Sequence, residues 1–532
     1  MAFQGRVLHE AGVLEPMRPD KAAKIGVTFL RWGASPATGV ATAAIHHPDA
    51  NFIVDERGSL TFEQVHRRSN ALAHAFAEMG IGFGDGIGIM CRNHRGFIET
   101  TLAAAKLGAS ALYLNTMFAG PQLIEVMRRE GPKALVYDEE FAELLDGVDD
   151  GVQRVIGWTD GGAQGPTVDS LIDSHGDADL KPPPEKPKFV ILTSGTTGTP
   201  KGAQRSSPDG LLAMAAIIDK IPFRSRETIA IAAPLFHSWG FFHFVISLPT
   251  AATIVLRRRF DPERALQSVQ DHGANVLAVV PVMVQRILQL PDEVLDRYPL
   301  PELRIASISG SALPGELALE WMDRFGDNVY NLYGSTEVSW ATVATPEDLR
   351  TAPGTAGRPP HGTVVKLYGE DGKEVPRGEI GRIFVGNEMA FEGYTGGGGK
   401  EVIDGLFSSG DVGHLDSEGR LFIDGRDDEM IVSGGENVFP REVEDLLADH
   451  DGVVEVAVIG VEDDEFGQRL KAFVVTASEV EVSEGDLKAH VKANLASYKA
   501  PREVEFLDEL PRNATGKVLK RDLRERETQS SA

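Results

Sequence analysis

At 532 residues the chain exceeds what one hydrophobic core usually serves, so two to four domains and a sizeable catalytic cleft are expected. A formal net charge of -26, in an otherwise ordinary soluble composition, would repel a nucleic-acid backbone, so any phosphate ligand must be gripped by specific loops. The single cysteine, Cys91, excludes a disulfide framework and a cysteine zinc site.

In chain order, Met1 to Pro16 carries charges at Arg6, Glu10 and Glu15 and no apolar run long enough for a signal peptide or a membrane span, which predicts a cytoplasmic protein. Membrane association would suit an enzyme of long-chain acids, but no basic amphipathic helix is read to support it, and no stable membrane insertion is expected. Apolar periodicity predicts a helix from Phe62 to Met79, a strand from Gly86 to Cys91 and a helix from Phe97 to Leu107, an alternation that argues for parallel α/β layers. Cys91 ends the apolar run Ile87-Gly88-Ile89-Met90 and is expected to be a buried, inert thiol. Asp177 to Pro187, with Lys181-Pro182-Pro183-Pro184, is a connector that no helix or central strand can cross. Gly396 to Gly399 reads as a flexible loop. Beyond Gly405 short runs alternate with Asp-Gly and Gly-Gly turns, as in Arg420 to Gly425, which predicts antiparallel hairpins. Val453 to Val461, Leu470 to Thr476 and a helix around Glu484 to Leu495 then form a compact unit, and the last dozen residues look frayed. The expected fold class is α/β, with a large N-terminal domain of layered mixed sheets and helices (1–427) and a small C-terminal α+β domain (428–532).

The sharpest segment is Phe189-Val190-Ile191-Leu192 followed by Thr193-Ser194-Gly195-Thr196-Thr197-Gly198-Thr199-Pro200-Lys201-Gly202, a strand running into hydroxyls and glycines that end at a lysine. Glycines let backbone N–H groups approach phosphate oxygens, hydroxyls add donors and Lys201 adds charge. It is not a Walker loop, because Pro200 precedes the lysine and Gly202 follows it. A plain Ser/Thr/Gly surface turn is the bland alternative. In order and spacing the segment resembles the signature of the adenylate-forming superfamily of acyl-CoA synthetases, luciferases and peptide-synthetase adenylation domains, closest to fatty-acid–CoA ligases.

That resemblance extends from about Leu60 to Lys517 and implies roles for further residues. In Tyr330-Asn331-Leu332-Tyr333-Gly334-Ser335-Thr336-Glu337 it implies that Tyr333 stacks on adenine and that Glu337, with Thr193, holds Mg2+. Hard cations do favour such oxygen ligands. Asp411 resembles the family's ribose-binding aspartate, Arg426 the arginine beside an interdomain hinge and Asp428 the hinge itself, which would make the small domain mobile. Gly310, Ser311 and Ala312 resemble the loop flanking adenine and acyl group, with Asn331, Gly334, Ser335 and Thr336 completing the ATP site. Lys517, in Pro511-Arg512-Asn513-Ala514-Thr515-Gly516-Lys517, resembles the lysine that contacts the reacting carboxylate and the α-phosphate. A carboxylate attacking a phosphate brings two anions together, and a fixed cation relieves the repulsion.

Ser433, Gly434 and Gly435 resemble the segment that lines the pantetheine tunnel of CoA ligases, and His237, Trp239, Gly310 and Val338 are candidates for the acyl pocket. Zinc at His237 and His243 is disfavoured by their spacing of six. The implied function is an AMP-forming ligase that uses ATP, Mg2+ and CoA to activate a mainly apolar carboxylic acid, fatty acids first and aryl acids second. Transfer to a carrier protein or an amine, a luciferase-like oxygenase and a non-catalytic acyl- or nucleotide-binding module are the alternatives. Expected partners are the acid, ATP and CoA and no nucleic acid, with a homodimer left open.

Overall fold

The computed structural model describes residues 2–185, 189–192, 202–205, 210–389, 391–395, 399–433, 436–463, 467–477, 482–513 and 516–530. Among these residues four sheets form, two large and two small.

The first large sheet runs Phe391–Tyr394, Gly202–Arg205, Phe189–Leu192, Ser110–Tyr113, Gly86–Met90, Ala134–Asp138 and Gln153–Trp158. Its five strands from Phe189–Leu192 to Gln153–Trp158 are parallel, as helix crossovers require. The second has eight strands, from Thr342–Ala344 at one edge to Gly58–Thr61 at the other, with a parallel centre. Side chains of both sheets and their helices share one continuous core.

Local chemistry explains the helices. Thr61 caps the helix Phe62–Glu78 and Gln64 returns the bond to the Thr61 N–H, so two orphan donors are satisfied together. Nearly every residue of Arg95–Leu107 is buried, and Gly108, at φ 71°, ends it in the left-handed turn that glycine adopts without strain. Cys91 is buried as expected, and burial first, then the Asp138 charge, pushes its thiol pKa up.

A smaller sheet, Val364–Tyr368, Gly381–Gly386, Leu406–Leu415 and Val402–Ile403 with Leu421–Arg426, is antiparallel and carries the expected hairpins. The chain leaves it at Arg426, turns through Asp427–Glu429 and enters the last sheet at Ile431. Val443, Leu447, Leu487 and Val491 of two helices pack there against Val458 and Val474. The opposite face is covered by Leu523, which corrects the expectation of a frayed end. Lys520–Ser530 is a helix because Leu523 buries against Ala457, Ile459 and Phe473. A second departure lies at the start of the chain, where the sequence reading placed no element. Ala2–Glu10 buries Val7 and Leu8, while the helix Pro19–Trp32 buries nothing.

Candidate active site

One cavity of about 1440 Å3 is lined by residues of both the large and the small part of the chain. Its polar part is set by strand ends. Val329–Tyr333 delivers Tyr333, whose hydroxyl donates to Asp411 Oδ2 at 2.6 Å. Asp411 faces Arg426 across paired strands, with Nη1 3.4 Å from Oδ1. Burial pushes the Asp411 carboxyl up, and Arg426, Tyr333 and Lys517 only partly offset it. This group is a ready acceptor for hydroxyls. Burial and the neighbouring Asp411 push the Tyr333 hydroxyl up, which keeps it a donor.

After Tyr333 the chain doubles back tightly. A Cβ on Gly334 would stand 2.0 Å from the Ser339 carbonyl, so only glycine fits. Glu337 Oε1 accepts from the Tyr394 hydroxyl at 2.7 Å, and the Glu337 N–H donates to Ser335 Oγ at 3.2 Å. Burial would raise the Glu337 carboxyl, but Tyr394, Lys400 and Ser335 outweigh it and hold its pKa below the usual value. An ionised, half-buried carboxylate is the donor a hard divalent cation requires, so Glu337 fits Mg2+.

Lys517 reaches the same cavity from the small part of the chain. Its N–H donates to Asn513 Oδ1 at 2.9 Å, within a turn closed by the Asn513 N–H to Lys517 carbonyl bond. Gly516 sits at φ 78°, and a Cβ there would lie 2.1 Å from Val282 of the large part. The lysine loop therefore touches the large part where no side chain could be added.

The apolar part of the cavity is built on the helix Ser238–Ser247 and the chain's first helices. Trp239 donates to the carbonyls of Val279 and Ser307 at 3.1 and 3.3 Å and stacks on Phe242 at 5.5 Å. Burial lowers the His237 pKa to about 4, and among the described residues its Nε2 has no partner. Met214, Leu248, Met17, Ile25 and Phe29 add further wall.

The expected residues Gly310, Ser311, Ala312, Asn331, Tyr333, Gly334, Ser335, Thr336, Glu337, Asp411, Arg426, Lys517, His237 and Trp239 all line this one cavity. Val338 does not. It packs with Ala341, Ala356 and Leu367 in a separate core, and its neighbours Ser339 and Trp340 line the cavity instead. Thr193, Ser194, Gly195, Thr196, Thr197, Gly198, Lys201, Gly434 and Gly435 lie outside the described residues, as do the side chains of Asp428 and Ser433. The strands flanking 193–201 are paired, Leu192 with Gly202, and Leu192 lines the cavity. Tyr394 and Lys400 were not read from the sequence. No local signal marks them, because Tyr394 comes to Glu337 only through the antiparallel pairing of its strand with Gly202–Arg205.

A buried tyrosine–carboxylate–arginine group, a lysine from the small part of the chain and an apolar chamber meet in one cavity, an arrangement that suits an acid-activating, adenylate-forming protein. The AMP-binding enzyme family matches residues 40–395 and the AMP-binding enzyme C-terminal domain matches 442–517, and the chain belongs to this family. Fatty acid–[acyl-carrier-protein] ligase ScoC of Streptomyces coeruleorubidus is 31% identical over 497 residues, 91% of this chain and 94% of that protein. Indoleacetate–CoA ligase of Aromatoleum aromaticum is 32% identical over 485 residues, 88% of this chain and 93% of that protein. The o-succinylbenzoate CoA synthetase MenE of Bacillus subtilis, solved with its acyl-adenylate, superposes with a TM-score of 0.80 at 27% identity, covering 91% of this chain and 97% of that one.

Proposed function

We propose that this chain is an ATP-dependent acid–CoA ligase acting on a mainly apolar acid, with fatty acids the first candidates and aryl acids the second. The observation that carries the reading is the meeting of Lys517, the Tyr333–Asp411–Arg426 group and an aromatic chamber in one cavity. An acid oxygen attacks the α-phosphorus of ATP, the bond to pyrophosphate breaks, and an acyl-AMP forms. Lys517 lies between the two anions and offsets the charge that accumulates. Asp411 accepts from ribose hydroxyls and Tyr333 stacks on adenine. Glu337, with Thr193, would hold magnesium, which supplies charge neutralisation to the phosphates when bound.

The CoA thiolate then attacks the acyl carbonyl and AMP leaves. Access for it comes from rotation of residues 428–532 about Asp428, in the turn between the two sheets. Ser433, Gly434 and Gly435 border the entering thiol arm. Names of relatives support acid activation broadly, since they include fatty and aryl acids. A second reading has one specific support, because ScoC is described as delivering to an acyl-carrier protein.

Pyrophosphate release with ATP and magnesium is measured across short, medium, long-chain and aryl acids, with and without CoA. Acid-dependent release that turns over only with CoA is expected. Single-turnover release that CoA does not accelerate would favour the carrier reading, and no release with any acid would overturn the proposal.

A further inference from the structure

The helix Pro19–Trp32 precedes the region matched by the family, which begins at residue 40, and none of its 14 residues is buried. Successive side chains on a helix turn by about 100°. Ile25 and Phe29 therefore share one side, and both line the apolar part of the cavity. Ala23, Val27 and Leu30 fall within an arc of about 60° on the other side. Val27 is 53% and Leu30 88% exposed, and Leu14, which leads into the helix, is 48% exposed. Lys24 and Arg31, both exposed, lie together along one side of this ridge, the side that also carries Asp20. From Arg18 to Trp32 the segment holds four cations and one carboxylate, in a chain whose net charge is -26; Arg18 pairs with Asp20 and Lys21 donates to the His46 carbonyl, which leaves Lys24 and Arg31 as the cations beside the ridge.

A lone exposed leucine needs no explanation, but an apolar ridge bordered on one side by two exposed cations, on a helix without a buried residue, has the chemistry of the headgroup boundary. We propose that Pro19–Trp32 is an interfacial anchor that docks this face on an anionic lipid bilayer and sets the apolar part of the cavity against the lipid. No helix among the described residues is long and apolar enough to cross a membrane, so the anchor lies flat. The overall negative charge opposes the approach, and attraction depends on the local cations within a Debye length. Loading of a lipid-borne acid is the functional sense of this contact and rests on the ligase reading. Docking itself does not.

The full chain is sedimented with phosphatidylcholine vesicles with or without phosphatidylglycerol, in the absence of ATP and acid. Binding is expected only with phosphatidylglycerol and weakens as salt rises. Val27→Asp with Leu30→Asp is expected to weaken it about tenfold or more, and Lys24→Glu with Arg31→Glu to weaken it less. Neither Val27 nor Leu30 lines the cavity, so melting temperature and pyrophosphate release with a short, water-soluble acid stay as in the wild type. Failure of the wild type to bind phosphatidylglycerol vesicles overturns the proposal, as does unchanged binding by the aspartate variant. An aspartate variant that dissolves a dimer yet keeps its vesicle binding would make the ridge a self-association face. Vesicle binding in a protein that releases no pyrophosphate with any acid would leave the anchor standing and the ligase reading refuted.

Discussion

In the polar part of the cavity Tyr333, Asp411, Arg426, Glu337 and Tyr394 hold one another through directed contacts of 2.6 to 3.4 Å. In the apolar part, by contrast, Phe242, Leu248, Met214 and Phe29 form walls, and the buried His237 ring presents an Nε2 without a partner among the described residues. The first arrangement fixes where charges and hydroxyls sit through directed bonds. The second fixes only volume and polarity, which discriminate acids weakly, at about 1–3 kcal/mol per methylene. One scaffold can thus keep its adenylation chemistry while exchanging its acid, and substitutions in the two parts should separate cleanly.

The largest separation is expected at Lys517. On the proposed reading, in which its cation offsets charge developing on the phosphate, Lys517→Ala should lower pyrophosphate exchange by about 100-fold or more. Stability should move by less than about 0.5 kcal/mol, since the side chain is not part of a core cluster. Exchange within a few-fold of wild type would remove Lys517 from the reaction. Gly516→Ala should follow, at about 100-fold, because its Cβ meets Val282 at 2.1 Å and its φ of 78° disfavours a side chain. Adding Val282→Ala should restore part of the loss. If it restores none, the contact between the two parts of the chain is not what places the lysine.

The same contrast governs what could be read from sequence. Tyr333 and Glu337 stand four apart in one motif, and Lys517 ends another, so the resemblance of short local stretches to family motifs brought them to notice. Strand ends and turns demand glycine or a specific polar group, and such demands leave compact traces. Apolar walls leave fainter ones. The aromatic segment around His237 and Trp239 was legible by its resemblance, whereas Ile25 and Met214 come from two distant helices, and each reads as ordinary core until the fold brings them together. Val338 illustrates the converse, since motif adjacency placed it at the site and backbone direction turned it into a separate core. Helix Lys520–Ser530 was missed because its charged sequence hides the one leucine, Leu523, that docks it.

Reciprocal single-group deletions sharpen the comparison at a smaller scale. Tyr333→Phe removes a donor to a carboxylate and should raise the KM for ATP about tenfold without changing that for the acid. Trp239→Phe keeps a ring but removes the N–H that serves the Val279 and Ser307 carbonyls. It should raise the acid KM about fivefold and leave ATP untouched. Both constants moving together in either variant would mean that the two parts are not energetically separate.

The last test lies behind the apolar wall and reads stability, not kinetics. His243 Nδ1 sits 2.9 Å from the Trp239 carbonyl, which can only accept, so Nδ1 carries the proton and Nε2 is left as a buried lone pair without a partner among the described residues. The ring is enclosed edge-on by Trp239 at 4.6 Å, Phe242 at 5.2 Å and Phe223 at 5.9 Å. Burial lowers its pKa from 6.5 to about 4, despite the bond to the carbonyl. The unfolded chain therefore takes up a proton as pH falls through 6.5, while the folded chain refuses it until about pH 4. The stability this group contributes is complete above the unfolded value and is lost progressively on acidification across that window. His243→Phe keeps an aromatic ring among the same neighbours and removes the titration. Urea unfolding at neutral pH and near pH 4.5 should show the wild type losing about 2–3 kcal/mol more than the variant. Equal losses would mean that the pocket admits the proton, and that this wall is wetter than its packing indicates.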